Sequence, residues 1–359
     1  MNDQHVRRER PTLCVINFNG AAVLPDTLAA AAAERDSFAE VIVVDNASED
    51  GSVALIERDF AWMRIVRMPA NGGPAIARNA GLRAVGTNLV LFIDNDVGLA
   101  KGCVDHLLHA LADNPRAAVA APRVLYAHDR ARIQYDGADN HFLGMMVLHN
   151  QDRLLADAEQ TVRSVGGVVT ACFLVDRRRL PDGDPFDETF FIYAEDHDFG
   201  LRIRTLGLEI LSVPSAICYH GEGTKGLSLR SLGRYSKFRV FCQIRNRWQL
   251  LLKNYSLRSF LLFSPLLVVF EAGQFLIAVK RGWILEWARA FGWIIVHLPK
   301  ILGRRRSVQR SRKLPDSALL VGGPVPFNSQ FASDGVERLA RKAFDRIVIL
   351  YWKGARRLI

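Results

Sequence analysis

The sequence predicts an α/β fold with a mainly parallel sheet flanked by helices, followed by a separate helical region. In the first third, short runs of apolar and often β-branched residues alternate with segments of helical composition. This alternation is typical of a parallel sheet with both faces covered by helices. The balance of charged residues changes near residue 230. Residues 1–229 carry 22 Lys and Arg against 31 Asp and Glu, whereas residues 230–359 carry 25 Lys and Arg against 6 Asp and Glu. We therefore predict an acidic α/β domain over 1–229 and a basic helical region over 230–359.

The expected elements follow one another in a regular order. Apolar runs predict strands at residues 13–16, 41–44, 64–67, 89–93, 118–122 and 168–175. Helical patterns occupy residues 24–35, 74–84, 104–114 and 196–206. Residues 126–165 show no regular pattern, and we expect an irregular segment there.

Polar residues follow several of these strands directly. Asn17, Asp45 and Asp94 each come at or just after the end of an apolar run. Because open α/β sheets bind ligands at the carboxyl ends of their strands, the three side chains are expected to line one crevice. Each of them alone is better explained as a helix cap or a turn former, and it is the three together that indicate a crevice.

Cysteine use and the first residues indicate the compartment. The five cysteines are scattered, without a C-x-x-C pair, which argues against a disulfide framework or a zinc ribbon and fits a reducing environment. The first ten residues are polar and charged, so we expect no signal peptide and a cytoplasmic domain.

Asp94-Asn95-Asp96 is the first group of residues that indicates chemistry. It follows five apolar residues directly. Two carboxylates at i and i+2 beyond a strand can share a divalent cation, or divide a metal and a ribose between them. Mg²⁺ and Mn²⁺ prefer such oxygen ligands together with phosphate oxygens. A nucleoside diphosphate would supply those oxygens and leave as a charged group that the metal stabilises.

The second group runs from Asn71 to Gly81. Gly72 and Gly73 let the backbone approach a ligand, and the helix that follows offers free N–H groups to an anion. Arg78 lies about two turns along the same helix, where it could reach a phosphate or a base. The alternative is an ordinary Gly-Pro loop with a solvent-facing arginine.

The third group is an aromatic run, residues 190–193, that ends in an acidic cluster at 195–198. A carboxylate at the edge of an apolar pocket can act as a general base, although clustered like charges need a cation or a shared proton. The alternative is a helix N-terminus that favours acidic residues. His220 follows a further apolar run and could add a metal contact, whereas a lone histidine is more often structural.

Together, these segments resemble the family 2 inverting glycosyltransferases of GT-A fold, especially the rhamnosyltransferase-like, non-processive bacterial members. The order and spacing fit across residues 12–225. The matching residues are Val15-Ile16-Asn17-Phe18-Asn19, Val43-Val44-Asp45-Asn46-Ala47-Ser48-Glu49-Asp50-Gly51-Ser52, Asn71-x-Gly73-x-x-x-Ala77-Arg78-Asn79-x-Gly81, Phe92-Ile93-Asp94-Asn95-Asp96 and Glu195-Asp196-His197-Asp198-Phe199-Gly200-Leu201-Arg202.

The resemblance implies a Rossmann-like GT-A domain with a nucleotide-sugar half over about 12–125 and an acceptor half over about 126–229. It implies that Asp196 is the base, beside Glu195, and that Asp96 and His220 hold Mg²⁺ or Mn²⁺. Asp45 would contact the base or ribose, and Asp94 the ribose or a metal-bound water. The full set of nucleotide-sugar candidates is Asn17, Asn19, Asp45, Asn71, Gly73, Arg78, Asp94 and Asn95. The acceptor-side loop is Gly166-Gly167-Val168.

The function so implied is inverting transfer of a single sugar from a UDP or dTDP sugar to a polyprenyl-linked or cell-envelope glycan acceptor. Two features depart from the family pattern. His197 stands where an aliphatic residue is usual, which alters the expected electrostatics around Asp196. The Q-x-x-R-W sequence of processive members is approached by residues 243–248 but with one residue too many, which favours single addition.

Two other functions account for only part of the sequence. A processive polysaccharide synthase would need a channel of several transmembrane helices, and residues 230–359 offer at most one or two. A basic-tailed nucleic-acid-binding protein would explain the charge but leave Asp94, Asp96 and Asp196 without a role. No RNA- or DNA-binding motif occurs in the sequence, so we expect no nucleic-acid partner. The sequence gives no indication of oligomeric state.

The basic region contains two apolar stretches. Residues 260–279 are long enough to span a bilayer, but the central Glu271 would be costly there. In residues 283–302 an apolar face recurs at three- and four-residue spacing, formed by Ile284, Trp287, Phe291, Ile294, Leu298 and Ile301. With the flanking basic residues, this predicts helices lying on an anionic membrane surface. We expect a peripheral or monotopic protein at the cytoplasmic face of the plasma membrane; the alternatives are a true span and a soluble helical interface.

Overall fold

The computed structural model describes residues 9–221, 236–326 and 335–359. The strands are β1 (Thr12–Asn17), β2 (Glu40–Asp45), β3 (Arg64–Arg67), β4 (Leu89–Asp94), β5 (Val97–Leu99), β6 (Ala117–Tyr126), β7 (Ile133–Tyr135), β8 (Ala138–His141), β9 (Met145–Leu148), β10 (Arg163–Val165), β11 (Cys172–Asp176), β12 (Glu209–His220) and β13 (Leu320–Val321). The helices are α1 (Leu24–Ala33), α2 (Ser52–Asp59), α3 (Pro74–Ala84), α4 (Cys103–Asp113), α5 (Glu195–Thr205), α6 (Lys237–Asn254), α7 (Leu257–Arg281), α8 (Ile284–Ser311), α9 (Asp316–Leu319) and α10 (Gly335–Ala355). The predicted division at residues 229 and 230 lies outside the described residues.

A large sheet, with strand order β10-β12-β6-β11-β4-β1-β2-β3, organises the N-terminal part of the chain. The strands β3, β2, β1 and β4 pair with one another in parallel, as predicted, whereas β11 runs antiparallel to both β4 and β6. Successive residues of β1 enter opposite hydrophobic clusters, with Leu13 and Val15 in one and Cys14 and Ile16 in the other. The predicted α/β fold with both sheet faces covered is therefore confirmed.

The expectation of an irregular segment over residues 126–165 is wrong. That segment contains β7, β8, β9 and β10, and β8 pairs with β9 and with β13 from the C-terminal region. These strands have three or four residues each, which is too short for a periodic pattern in the sequence. The strand expected at 168–175 begins only at Cys172, because the residues before it form a loop.

The C-terminal helices pack directly on the α/β domain. A third hydrophobic cluster joins Phe142 and Phe190 of the domain to Tyr255, Phe263 and Trp352 of the helices. A buried ion network adds to this contact, since Lys253 Nζ lies 2.6 Å from both Asp187 Oδ2 and Asp198 Oδ1. The basic region is therefore folded onto the domain and contributes to its core.

The predicted membrane face of residues 283–302 is wrong in part. Ile294 and Ile301 are buried, and Phe291 packs edge to face against Trp248 of α6. This stripe covers α6 because the paired helices bury their shared apolar surface between them. Ile284 of the predicted stripe is exposed, and the other exposed large apolar side chains of α8 are Leu285, Ile295, Val296 and Leu302.

Glu271 does not face outward from α7. Its carboxylate accepts hydrogen bonds from Arg247 Nη1 at 3.0 Å, Trp248 Nε1 at 2.8 Å and Trp287 Nε1 at 2.9 Å. Helix α7 is the one helix in the described ranges that is long and apolar enough to cross a membrane, with a mean hydropathy of 2.0 and only 22% of that apolar window buried. The glutamate that made a membrane location costly is thus paired inside the protein, and the opposite face of α7 remains apolar and exposed.

Candidate active site

The carboxyl ends of three adjacent strands meet at one edge of the sheet. The register pairs Asn17 of β1 with Asp45 of β2 on one side and Ile16 with Asp94 of β4 on the other. Asn17 Nδ2 donates to Asp45 Oδ1 at 2.9 Å, and Asn17 Oδ1 accepts from Asn95 Nδ2 at 3.0 Å. The structure therefore brings these candidates together as expected from their positions at strand ends.

Asn17 and Asn19 are both engaged in building this edge. Asn17 also donates to Ser48 Oγ at 3.2 Å and to Ser52 Oγ at 3.0 Å. The backbone N–H of Asn19 donates to Ser48 Oγ, and its side-chain oxygen accepts from the N–H of Glu49, each at 2.9 Å. Through these contacts, Asn17 and Asn19 fix the conformation of the turn that follows β2 and Asp45.

The loop before α3 is clamped to the end of β2. Asn46 Nδ2 donates to Asn71 Oδ1 at 2.9 Å, and the N–H groups of Gly72 and Gly73 donate to the two asparagine side chains at 3.1 and 3.0 Å. Gly73 has φ +85°, and a Cβ there would lie 2.2 Å from the carbonyl oxygen of Phe191. Glycine is therefore required at 73 by conformation and by close approach of another segment.

Arg78 is buried, with 2% of its side chain exposed. Its Nη2 donates to Asp94 Oδ1 and to the carbonyl oxygen of Thr170, both at 3.0 Å, and its Nη1 lies 3.4 Å from Glu195 Oε1. One guanidinium thus joins the triplet after β4 to the acidic cluster of α5. A solvent-facing Arg78, the alternative open at the level of sequence, does not occur.

Asp96 and His220 face each other at the same edge. His220 Nε2 lies 3.4 Å from Asp96 Oδ1, and the backbone N–H of Gly221 donates to the carbonyl oxygen of Asp96 at 2.9 Å. On the other side of the ring, His220 Nδ1 lies 2.7 Å from Gln134 Oε1. Because an amide oxygen only accepts, this contact places the ring proton on Nδ1 and leaves the lone pair of Nε2 directed at the carboxylate.

This pair fits a divalent cation. His220 Nε2 is buried and has no hydrogen-bond partner, and a second acceptor faces it. Two ligands at about 2.1 Å from one ion can be separated by the observed distance. The described ranges contain no group of three His, Cys, Asp or Glu side chains placed to hold a metal. Mg²⁺ and Mn²⁺ commonly take further ligands from substrate phosphates and water.

The acidic cluster at the start of α5 divides into two kinds of carboxylate. Burial opposes ionisation of Asp198, but Lys253 and Arg202 outweigh it and hold its pKa below the ordinary value. Burial raises the pKa of Asp196 above the ordinary value, against the opposing effects of the His197 N–H and Arg78. Burial and the neighbouring Asp196 raise the pKa of Glu195 to about 8. Asp198 is thus a structural ion, whereas Asp196 and Glu195 have the pKa shifts found at acid–base sites.

His197 adds no positive charge beside this pair. Burial lowers its pKa to about 4, so the ring is neutral at neutral pH. The ring remains polar, and its Nε2 is buried without a hydrogen-bond partner.

Helix α6 holds the turn that leads into the acidic cluster. Asn246 Nδ2 donates to the carbonyl oxygens of Phe190, Ile192 and Tyr193 at 3.0, 2.9 and 2.6 Å. Arg245 Nη2 donates to the same Phe190 oxygen at 2.6 Å. The basic region thus reaches the residues directly before Glu195.

The loop Gly166-Gly167-Val168 packs behind α5. A Cβ on Gly200 would lie 3.0 Å from Gly167 Cα and 3.2 Å from the Val168 N–H nitrogen. Asn140 Nδ2 donates to the Gly166 oxygen at 2.8 Å, and the Val168 side chain is buried. The loop therefore supports the acidic helix by close backbone packing.

Three contributors to the site were not found from the sequence. Gln134 orients His220 from a strand in the segment expected to be irregular, and Asn46 clamps the Gly-rich loop from within a turn. Gln134 carries no pattern that singles it out, whereas Asn46 lies within the family-matching run of residues 43–52. Asn246 lies in the segment compared with Q-x-x-R-W, and that near match was the available signal.

Comparison with known proteins agrees with this geometry. Residues 12–168 match the sequence model described as Glycosyl transferase family 2. The pre-mycofactocin glycosyltransferase of Mycobacterium tuberculosis is 30% identical over 192 residues, which cover 52% of this chain and 38% of that protein. The N-acetylglucosaminyl-diphospho-decaprenol L-rhamnosyltransferase of the same organism is 28% identical over 205 residues, covering 50% and 66%. The match thus spans less than two thirds of either relative.

Solved structures share the fold. GalNAc-T7 with UDP, GalNAc and Mn²⁺ aligns with a TM-score of 0.53 at 14% identity, covering 68% of this chain and 48% of that one. Residues 1–349 of Staphylococcus aureus TarS in complex with UDP-GlcNAc align with a TM-score of 0.52 at 19% identity, covering 84% and 87%. Both are glycosyltransferases of GT-A fold. Residues 12–168 therefore match the Glycosyl transferase family 2 model within a GT-A fold, in agreement with the resemblance carried by the sequence motifs.

Proposed function

We propose that the protein transfers a single sugar, with inversion, from a UDP or dTDP sugar to a polyprenyl-linked or cell-envelope glycan acceptor. The observation that carries the proposal is the Arg78 guanidinium, which contacts Asp94 at 3.0 Å and lies 3.4 Å from Glu195. It places the triplet after β4 and the acidic helix in one site. A donor held by the first and a base supplied by the second would then meet at the bond to be formed.

The donor half of the site is assigned to the sheet edge. We assign Asp45 to the base or ribose and Asp94, with 33% of its side chain exposed, to the ribose or a metal-bound water. Asp96 and His220 would hold the cation, Mg²⁺ or Mn²⁺. When bound, such an ion offsets the negative charge that develops on the leaving diphosphate. We propose that Arg78 helps to hold the nucleotide by positioning Asp94 and Glu195, because its two Nη groups contact protein oxygens.

The reaction we propose is a single displacement. Asp196 accepts the proton of the acceptor hydroxyl, whose oxygen attacks the anomeric carbon from the face opposite the leaving group. The bond from that carbon to the β-phosphate oxygen breaks, and its electron pair leaves with the nucleoside diphosphate. Burial keeps the pKa of Asp196 raised, which strengthens the carboxylate as a proton acceptor.

The acceptor class rests on two observations. The rhamnosyltransferase relative is named for a decaprenol-diphosphate-linked substrate, and α7 presents an apolar face formed by Leu257, Leu261, Val268, Val269, Leu276 and Val279, all strongly exposed. We call this the α7 face. Lys280 and Arg281 stand at the end of the helix. An exposed apolar surface with basic residues at its rim suits a membrane that contains anionic lipid.

A donor panel tests the proposed activity. At least one UDP or dTDP sugar is expected to bind about 10-fold or more tightly with Mn²⁺ or Mg²⁺ than with a chelator, since the metal links Asp96 to the diphosphate. Isothermal titration calorimetry of the full chain against UDP, dTDP and GDP sugars measures this. The proposal fails if no nucleotide sugar binds, or if a chelator leaves every affinity unchanged.

The α7 face is expected to bind vesicles. Val268 and Leu276 are 65% and 66% exposed, so the double change Val268→Ser and Leu276→Ser should weaken binding to phosphatidylglycerol vesicles by about 10–100-fold, the loss expected for two apolar side chains. Vesicle flotation of the full chain measures the bound fraction. Val162→Ser, at an exposed apolar position of the α/β domain, is the matched control. Unchanged flotation of the double variant would refute the assigned face.

A further inference from the structure

The turn before the acidic helix has an unusual backbone. Phe191, Tyr193 and Ala194 have φ angles of +63°, +66° and +64°. Non-glycine residues rarely adopt this left-handed region, and three within four residues persist only where neighbouring structure holds them. Ala194 is the residue that caps α5, so the turn determines where Glu195 and Asp196 begin.

Asn246 is the side chain that holds this turn. It is fully buried, and its amide nitrogen faces three carbonyl oxygens, those of Phe190, Ile192 and Tyr193. The amide orientation is fixed from the other side, because Arg245 Nε donates to Asn246 Oδ1 at 2.8 Å. The amide group therefore presents both of its N–H bonds to the turn.

The turn is confined from the opposite direction as well. The Phe191 carbonyl group approaches Gly73 so closely that no side chain fits there. The N–H of Asp198 donates to the Ala194 oxygen at 3.0 Å, which starts the first turn of α5. The turn thus lies between the Gly-rich loop of the donor half and helix α6 of the basic region.

Other side chains of α6 also contact the domain at this turn and beyond it. At the turn, Arg245 donates to the Phe190 oxygen, Phe238 packs edge to face on Phe191, and Arg239 lies over the Tyr193 ring. Lys253 binds Asp187 and Asp198 at 2.6 Å, and Gln249 Nε2 donates to Thr189 Oγ1 at 2.6 Å. These contacts attach the helix to the domain on their own. General helix packing does not require three carbonyl groups to converge on one amide. The contacts of Asn246 therefore point to a role in the geometry of the turn.

We propose that Asn246 is a positioning residue, which holds the left-handed Phe191–Ala194 turn so that Asp196 meets the acceptor hydroxyl. The inference rests on the proposed function, because it assigns Asp196 as the base. Through this residue the basic C-terminal region becomes part of the catalytic apparatus. Asn246 affects the rate of sugar transfer and does not affect the affinity for the donor.

The test is loss and rescue. Asn246→Ala is expected to lower kcat by about 10–100-fold, because a displacement of about 1 Å at a catalytic group has that effect, while the dissociation constant of the donor stays within about 2-fold. Ala194→Gly in the same chain should restore about 10-fold of the loss, since glycine adopts the left-handed conformation without a holding contact. Ala194→Val, which increases the strain and leaves Asn246 intact, should lower kcat in the same way.

A matched control separates positioning from stability. Tyr255→Phe removes another buried hydrogen bond between this region and a carbonyl group of the domain, that of Tyr255 Oη to His141 at 3.1 Å. Ala194→Gly should not restore anything that Tyr255→Phe loses. Wild-type kcat in Asn246→Ala, equal rescue of both variants, or no effect of Ala194→Val would each overturn the inference.

Hydrogen exchange makes the test independent of the proposed reaction. The peptide over residues 190–198 should exchange about 10-fold or more faster in Asn246→Ala than in the wild type, and Ala194→Gly should slow it again. If the wild type transfers no sugar but this pattern appears, the proposed function fails and the holding role stands. If sugar is transferred and exchange is unchanged in Asn246→Ala, the holding role fails and the function stands.

Discussion

Asp196→Asn is expected to lower kcat for sugar transfer by about 10²–10⁴-fold, the range that a general base contributes. The amide cannot accept the proton of the acceptor hydroxyl, yet it keeps the shape of the carboxylate. Asp196 accepts a hydrogen bond from the His197 N–H at 2.7 Å, and an amide oxygen can still accept it. Donor binding should therefore remain within about 2-fold, because the change removes an interaction of the reacting state only. Single-turnover transfer and donor titration measure the two quantities.

The pH profile gives an independent check of the same residue. The base acts in its ionised form, and burial raises the pKa of Asp196 above the ordinary value of 3.8. The fall of kcat/KM on the acid side should therefore have its midpoint above pH 3.8 in the wild type. A midpoint at the ordinary value of an exposed aspartate would contradict the buried environment on which this assignment depends.

Two variants bracket the result for Asp196. Asp113→Asn, at an exposed position at the end of α4, should leave transfer at the wild-type rate. Glu195→Gln should lower kcat less than Asp196→Asn does. With a pKa of about 8, the Glu195 carboxyl group is mostly protonated and uncharged at neutral pH, and a glutamine amide is uncharged as well. If Glu195→Gln abolishes transfer and Asp196→Asn retains it, the base is Glu195 and the assignment is wrong.

Asp96→Ala is expected to remove metal-dependent donor binding. Loss of a carboxylate ligand should weaken Mn²⁺ binding in the presence of nucleoside diphosphate by about 100-fold or more, beyond the range seen for residues that only orient a ligand. The donor affinity of the variant should then equal that of the wild type in chelator. Manganese titration followed by electron paramagnetic resonance measures the metal without relying on turnover.

A second substitution, at a residue that only orients a metal ligand, should weaken Mn²⁺ binding by a smaller factor. Gln134→Leu removes the acceptor that lies 2.7 Å from His220 Nδ1 and should weaken Mn²⁺ binding by about 10–100-fold, because the ring loses its fixed tautomer. Asp105→Asn, on the exposed side of α4, serves as the control. Unchanged Mn²⁺ binding in Asp96→Ala would place the cation elsewhere and leave the facing Asp96 and His220 side chains without a metal role.

The positions of Asn17, Asp45 and Asp94 were predictable because each lies where an apolar strand ends and polar residues begin. Continuous apolar runs have one low-energy location, the buried sheet, and parallel strands deliver their carboxyl ends to one edge. Asn17 and Asp45 are consequently in contact, as expected. The family resemblance added roles to these positions, and the matching domain supports the family while the individual roles are for the experiments above to test.

The partners of the charged residues could not be predicted. Arg78 occurs in a segment that suggested contact with a ligand, but it is buried against Asp94 and Glu195. Asp198 adjoins His197 in the acidic cluster, yet Lys253 and Arg202 hold it as a structural ion. Such pairings depend on which distant segments fold together, and helical or strand periodicity carries no information about them.

The sequence by itself determined the α/β class, the strand-end site and the basic composition of the C-terminal region. These follow from local composition and period, which each segment carries whatever it packs against. Only the tertiary structure decided which faces of α7 and α8 are covered, where Glu271 points, and that Asn246 holds the turn before Asp196. The physical reason is that burial and hydrogen-bond pairing are properties of contacts between segments, and the same apolar stripe can cover a neighbouring helix or a membrane.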